Sequence, residues 1–296
     1  MNGPRSVTVR VPGTSANLAC GFDVVGCAYS LYNTLTFTRA EALSFSGCEA
    51  AFQNTENLAW QAYAAVFAHL GREPLPVRIH IEADIPVCRG LGSSAAMLAA
   101  GAVGANALSG ANLSLHELLD VVTPIEGHPD NLAPALFGGL VASVMHEGQV
   151  YSSVLPVSPS LHFVVLSPDY TLSTHEARAA LPKQVPFADA IFNLSRLALL
   201  PRAFETGDLE LITLCLDDRL HQPYRRPLIH GIDEVQAAAA ALGCRAFCVS
   251  GAGPSLLCVT NDPAFSGRLA EAVRELPHHW EVRDLAIAPE GTVILP

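Results

Sequence analysis

Residues 86–96 read Pro-Val-Cys-Arg-Gly-Leu-Gly-Ser-Ser-Ala-Ala and run straight into a segment of small residues. Small side chains at one bend let main-chain N–H groups approach an anion, and a helix that starts there adds the positive end of its dipole. A Walker A loop is excluded, because it needs Gly-Lys followed by Ser or Thr. The chain has one lysine, Lys183, in Leu-Pro-Lys-Gln. A protein-kinase fold is excluded too, since no His-Arg-Asp loop or strand lysine is present. Gly90-Leu-Gly92-Ser-Ser-Ala95 fits the glycine spacing of a dinucleotide site. The acidic residue expected about 20 positions on is missing. Beside that weak match, two further readings of the loop compete. In one, the N–H groups of Gly92, Ser93 and Ser94 cradle a nucleotide's phosphates, with serine hydroxyls as further donors or a metal ligand. In the other, the glycines serve only helix packing.

Several elements must position this loop. Alternation predicts strands over 6–12, over two stretches within 28–46, and over 76–84, where Val77, Ile79 and Ile81 form the apolar face. A helix is expected over 54–71, with Asn54 or Thr55 as its cap and Gly71 as its terminator. The loop leads into a helix over 93–110 whose alanines and glycines suit close packing. Ser114 with Glu117, and Ser173 with Glu176, have capping-box spacing. Strands are expected over 138–146, 162–168, 245–250 and 255–260, and helices around 187–203, 207–217, 232–242 and 264–276. Strands and helices mix in both halves, so the class is α+β rather than strict βα alternation. A domain boundary is expected near 150–157.

The 296 residues suffice for two ordinary domains. The formal net charge of -11, with no basic run, argues against a nucleic-acid partner. No signal-peptide pattern or long apolar run is visible, so no membrane association is expected. The eight cysteines lack zinc-site spacing, and several sit in apolar runs where cysteine acts as a small hydrophobe. A cytoplasmic protein with reduced thiols is the expectation.

Three stretches carry a family resemblance. Residues 86–96 resemble the phosphate-loop motif of the GHMP kinases. Residues 11–26, Val-Pro-Gly-Thr-Ser-Ala-Asn-Leu-Ala-Cys-Gly-Phe-Asp-Val-Val-Gly, are similar to the family's N-terminal motif. Residues 250–255, Ser-Gly-Ala-Gly-Pro-Ser, are similar to its C-terminal glycine motif. Within the superfamily the likeness is to the homoserine kinases. It extends through Glu-Gly-His-Pro-Asp-Asn at 126–131, Ser-Thr-His-Glu-Ala-Arg at 173–178, and Leu-His-Gln-Pro-Tyr-Arg-Arg at 220–226. Three departures stand out: Ala19-Cys20 in the first motif, Ser255 where threonine is common, and His230 at a usual proline position.

The resemblance implies a GHMP kinase fold. Its N-terminal domain is ribosomal-protein-S5-like, over 1–155, and its C-terminal domain is ferredoxin-like, over 156–296. It implies ATP and Mg²⁺ as cofactors, L-homoserine as the substrate partner, and a possible homodimer. ATP is expected along Pro86, Val87, Cys88, Arg89, Gly90, Leu91, Gly92, Ser93, Ser94, Ala95 and Ala96, with Gly251 and Gly253 nearby and the adenine near Asn57. Ser94 and Glu126 are the implied metal ligands, and Asp120 is a rival to Glu126. Arg178 and Arg225 match the carboxylate-binding positions, a task that suits a bidentate guanidinium. Asn17 and Asp23 suit the ammonium, and His128 and Thr174 match further substrate positions. Asp130 and Asn131 match the catalytic pair. An amide is no general base, so Asn131 is expected to orient the hydroxyl, with the proton leaving late in a loose transition state. Taken singly, Arg178 reads equally as a solvated helix face, Asn17 and Asp23 as turn residues, and Glu126–Asn131 as a loop after a helix. The rivals are another GHMP small-molecule kinase, a non-catalytic nucleotide-binding module, and an NAD-linked oxidoreductase.

Overall fold

The computed structural model describes residues 3–296. Among the described residues, eleven strands form two sheets and ten α-helices accompany them. The strands are β1 Ser6–Ala16, β2 Val25–Arg39, β3 Ser44–Ser46, β4 Val77–Ala83, β5 Leu140–His146, β6 Gln149–Leu155, β7 His162–Pro168, β8 Phe247–Val249, β9 Leu256–Thr260, β10 Trp280–Leu285 and β11 Val293–Leu295. The helices are α1 Leu58–His69, α2 Ser93–Ser109, α3 Leu115–Glu126, α4 Leu132–Phe137, α5 Thr174–Ala179, α6 Phe187–Thr206, α7 Leu209–Cys215, α8 Gln222–Arg225, α9 Ile232–Ala241 and α10 Phe265–Ala272. Among the described residues, no helix is long and apolar enough to cross a membrane. All eight cysteines are unpaired.

The first sheet has seven strands, built around the long β2. That strand pairs with β1 along its length, with β4 at its C-terminal end, and with β5 at its N-terminal end. β6 hangs on β5 as a hairpin, and β11 returns from the C-terminus to pair with β1. The second sheet has the order β10-β7-β9-β8 and is antiparallel throughout. Side chains alternate across a strand. In β7, Phe163 and Val165 therefore join the large core shared with the first sheet, while Val164 and Leu166 face a smaller core under α9 and α10. Both faces are covered, which is why β7 and β9 read as unbroken apolar runs.

The structure corrects and completes the expected elements. The cap of α1 is Asn57, not Asn54 or Thr55. Asn57 Oδ1 accepts from Ala59 N at 3.0 Å and its Nδ2 donates to Phe52 O at 2.9 Å, so residues 54–57 are a turn that the first hydrogen bonds of the helix follow. Residues 149–155 form strand β6 of the first sheet, so this sheet runs up to the expected boundary at 155/156. Both capping boxes form, at Ser114–Glu117 and Ser173–Glu176. α4, β10 and β11 were not anticipated.

Candidate active site

A cavity of about 340 Å³ runs between the phosphate-loop candidate and the C-terminal half. Along one wall lie Val87 to Ser94, the loop between β4 and α2. Gly92 caps α2 at φ 68° without any side-chain hydrogen bond to the first-turn amides. A helix start that has no side-chain cap and opens on a cavity leaves its first amide N–H groups free to receive an anion. Pro86, Ala95 and Ala96 support this wall from behind rather than lining it.

Both loop glycines are demanded by the rest of the protein. A Cβ on Gly90 would lie 2.3 Å from Ser250 O, and one on Gly92 would lie 1.9 Å from Thr14 Oγ1. Ser250 Oγ donates to Gly90 O at 2.6 Å and shares a 2.8 Å hydrogen bond with Ser15 Oγ. Gly251 N donates to Ala16 O at 3.1 Å. Gly253 does not line the cavity but packs beside Gly90 of the loop, close to Ile229 and Val249. Residues 250–255 thus clamp the phosphate loop and the N-terminal loop together.

Ser94 and Glu126 meet at the floor of the cavity, where Ser94 Oγ donates to Glu126 Oε1 at 2.6 Å. Burial raises the Glu126 pKa, and the Ser94 hydrogen bond only partly offsets this. Asp120 is turned away and accepts from Val150 N at 2.7 Å. Beyond Glu126, His128 Nδ1 bonds Asp130 Oδ1 at 2.5 Å. Burial opposes charge on His128, but the Asp130 hydrogen bond and charge outweigh it and raise its pKa. Asn131 follows at the start of α4, its Oδ1 taken by Thr14 Oγ1 at 2.9 Å.

The far end of the cavity holds two guanidinium groups. Arg225 is 1% exposed. It donates to Gly251 O at 2.9 Å and to His221 Nδ1 at 3.2 Å, and its Nε has no partner among the described residues. Burial, then repulsion from Arg178, pulls its pKa down to about 10. Arg178 is half-buried and grips Asp23 with both nitrogens, at 2.7 and 3.2 Å. Asp23 stands behind Arg178 and does not line the cavity. Asn17 and Thr174 do line it. Asn17 accepts from Asp23 N and donates to Gly251 O, which fixes the left-handed run Asn17–Ala19. Asn57 also lines the cavity, with both ends of its side chain engaged in capping α1. Arg89 faces the same space, its shielded Nε without a partner among the described residues.

Sequence reasoning missed four contributors. Phe22 stacks on His221 at 5.1 Å and lies under both guanidinium groups, at 5.7 Å from Arg178 and 5.3 Å from Arg225. His221 Nε2 donates to Ala19 O at 2.9 Å, so its Nδ1 is the neutral acceptor for Arg225. Asp218 accepts from Asn193 Nδ2 and from the backbone of Leu220, His221 and Gln222. Thr14 is the fourth. Phe22, Thr14 and His221 stood inside quoted motifs, but nothing in their spacing signalled these roles. Cys20, the noted departure, is buried in the large core and does not line the cavity.

Residues 57–139 match the family described as GHMP kinases N terminal domain, and residues 202–279 match GHMP kinases C terminal. A homoserine kinase of Clostridium botulinum is 43% identical over 291 residues, covering 97% of this chain and 98% of that protein. The homoserine kinase of Moorella thermoacetica is also 43% identical, covering 97% and 99%. The chain belongs to the homoserine kinase family of the GHMP kinases. The crystal structure of homoserine kinase from Cytophaga hutchinsonii superposes with a TM-score of 0.89 at 26% identity, over 100% of this chain and 99% of that one. Its mixed α+β architecture is the fold of the GHMP kinases. In this homoserine kinase family member, the three motifs that carried the resemblance meet at one cavity.

Proposed function

We propose that this chain transfers the γ-phosphoryl group of ATP to the γ-hydroxyl of L-homoserine, giving O-phospho-L-homoserine and ADP, a step toward threonine. One observation carries the reading: a single cavity joins the uncapped start of α2 to the paired guanidinium groups of Arg178 and Arg225. Two like charges, one of them desolvated, favour an anion between them. A carboxylate is the anion a bidentate guanidinium fits best.

In this reading the amides of Gly92, Ser93 and Ser94 take the phosphates, and Arg89 adds charge at the rim. Arg178 and Arg225 hold the substrate carboxylate, and Asp23, released from Arg178 as that carboxylate takes its place, serves the ammonium. His128 and Thr174 close the walls around the carbon chain. Ser94 and Glu126 supply a hydroxyl and a carboxylate, hard oxygen ligands that fit Mg²⁺. When bound there, Mg²⁺ would neutralise charge on the β- and γ-phosphates. Asn131 orients the γ-hydroxyl. The hydroxyl oxygen forms the new bond to phosphorus, the bond to the β,γ-bridging oxygen breaks, and the proton leaves to a phosphate oxygen or to water. Phosphoryl transfer is chiefly positioning and charge neutralisation, so no early proton abstraction is required.

A coupled ADP-release assay with L-homoserine, mevalonate, threonine, serine and galactose tests the reading. L-Homoserine is expected to give the highest kcat/KM. A preference for mevalonate or galactose would overturn it.

A further inference from the structure

Thr14 lies behind the cavity wall, at the end of β1. A β-bulge between Pro12 and Gly13 shifts the register there and re-aims the residues that follow. The side chain of Thr14 is wholly buried. Its N donates to Leu91 O at 3.0 Å, inside the phosphate loop. Its Oγ1 donates to Asn131 Oδ1 at 2.9 Å. The same Oγ1 is the atom that leaves no room for a Cβ on Gly92, at 1.9 Å. One residue therefore touches the nucleotide side and the acceptor side of the reaction.

The direction of the Thr14–Asn131 bond has a chemical consequence. A buried hydroxyl needs an acceptor for its one proton. Among the described residues, Asn131 Oδ1 is its recorded acceptor. That bond occupies the carbonyl end of the amide, which leaves the NH₂ end free for the cavity that Asn131 lines. An NH₂ group only donates. Asn131 then stabilises oxygen that gains negative charge, and it cannot receive the hydroxyl proton.

We propose that Thr14 is a positioning residue. It sets the Asn131 amide with its NH₂ toward the reacting oxygens and holds that amide in register with Gly92 of the phosphate loop. This deepens the homoserine kinase reading and rests on it.

Steady-state kinetics with ATP·Mg and L-homoserine on Thr14→Val, Thr14→Ser, Asn131→Ala and the double variant Thr14→Val/Asn131→Ala test the proposal. Thr14→Val is expected to lower kcat about 10- to 100-fold, with both KM values within about threefold of the parent. Thr14→Ser keeps the hydroxyl and is expected within about threefold of the parent. In the Asn131→Ala background, Thr14→Val is expected to change kcat less than about twofold, because its route of action is already gone. If Thr14→Val does not melt cooperatively, Thr14→Cys, which keeps the bulk and weakens the donor, takes its place in the cycle. A parent-like Thr14→Val, a loss confined to KM, or a full loss repeated in the Asn131→Ala background would each overturn the proposal while leaving the kinase reading standing. A wild-type chain with no ATP-dependent turnover of L-homoserine would overturn the functional reading, and this inference with it.

Discussion

The two ends of the cavity are built on opposite principles. At the phosphate loop the protein offers main chain, from one contiguous stretch, and strips away side chains. At the guanidinium end it offers side chains brought from positions as distant as Asn17 and Arg225, held by a buried polar cluster. The loop is rigid because its glycines are pressed against Ser250 and Thr14. Arg225 is held by His221, which Asp218 fixes in turn, and by the ring of Phe22. Backbone recognition needs little desolvation of charge. Side-chain recognition needs a buried cation; burial and the repulsion from Arg178 lower the Arg225 pKa to about 10, which leaves it protonated at neutral pH. In the proposed reading, a polyanion would be met by dipoles and a single carboxylate by pre-placed charges.

This contrast makes graded predictions. Gly90→Val puts atoms into Ser250 O and demands a φ of +71° from a β-branched residue. It is expected to lower kcat/KM for ATP by about 100-fold or more, read by ADP release with a thermal melt as control. Arg225→Met is expected to lower kcat/KM for L-homoserine by about 100-fold, and half-exposed Arg178→Met by about 10-fold, while KM for ATP moves less than about threefold in each. If both variants raised KM for ATP equally, the division of labour would be wrong.

His221 gives a pH signature at the same end. Burial lowers its pKa to about 4, against the attraction of Asp218 and Asp23 and with the repulsion of Arg225. The unfolded chain, with a histidine pKa of about 6.5, binds that proton first. Stability should therefore fall as pH drops from about 6.5 toward 4, by roughly 2–3 kcal/mol from this group. Denaturant midpoints across that range should show the slope, and His221→Gln should flatten it. The smallest effect is expected at Asp120→Asn. Asp120 serves β6 through Val150 N, so the Mg²⁺ dependence of activity should shift less than about twofold, whereas Glu126→Gln should raise the Mg²⁺ requirement severalfold.

The same contrast explains what could be read from sequence. The phosphate loop, both capping boxes and the alternating strands are local, and residues 86–96 announced themselves by glycines and by the absence of lysine. The helix start was misplaced by two or three residues because Asn54, Thr55 and Asn57 are all competent caps, and only the tie from Asn57 Nδ2 to Phe52 O decides among them. β11 was invisible because its pairing with β1 spans almost the whole chain. Asp218, His221 and Phe22 carry no spacing rule, since their function lies in contacts made after folding. Arg178 and Arg225 were found through the family resemblance, and the structure adds that they share one aromatic ring and one cavity.

The most direct test is a crystal structure with a non-hydrolysable ATP analogue and L-homoserine bound together. The γ-phosphate is expected on the amides of Gly92, Ser93 and Ser94, and the amino-acid carboxylate between Arg178 and Arg225. A carboxylate bound away from both arginines, or phosphates bound away from the start of α2, would contradict the account.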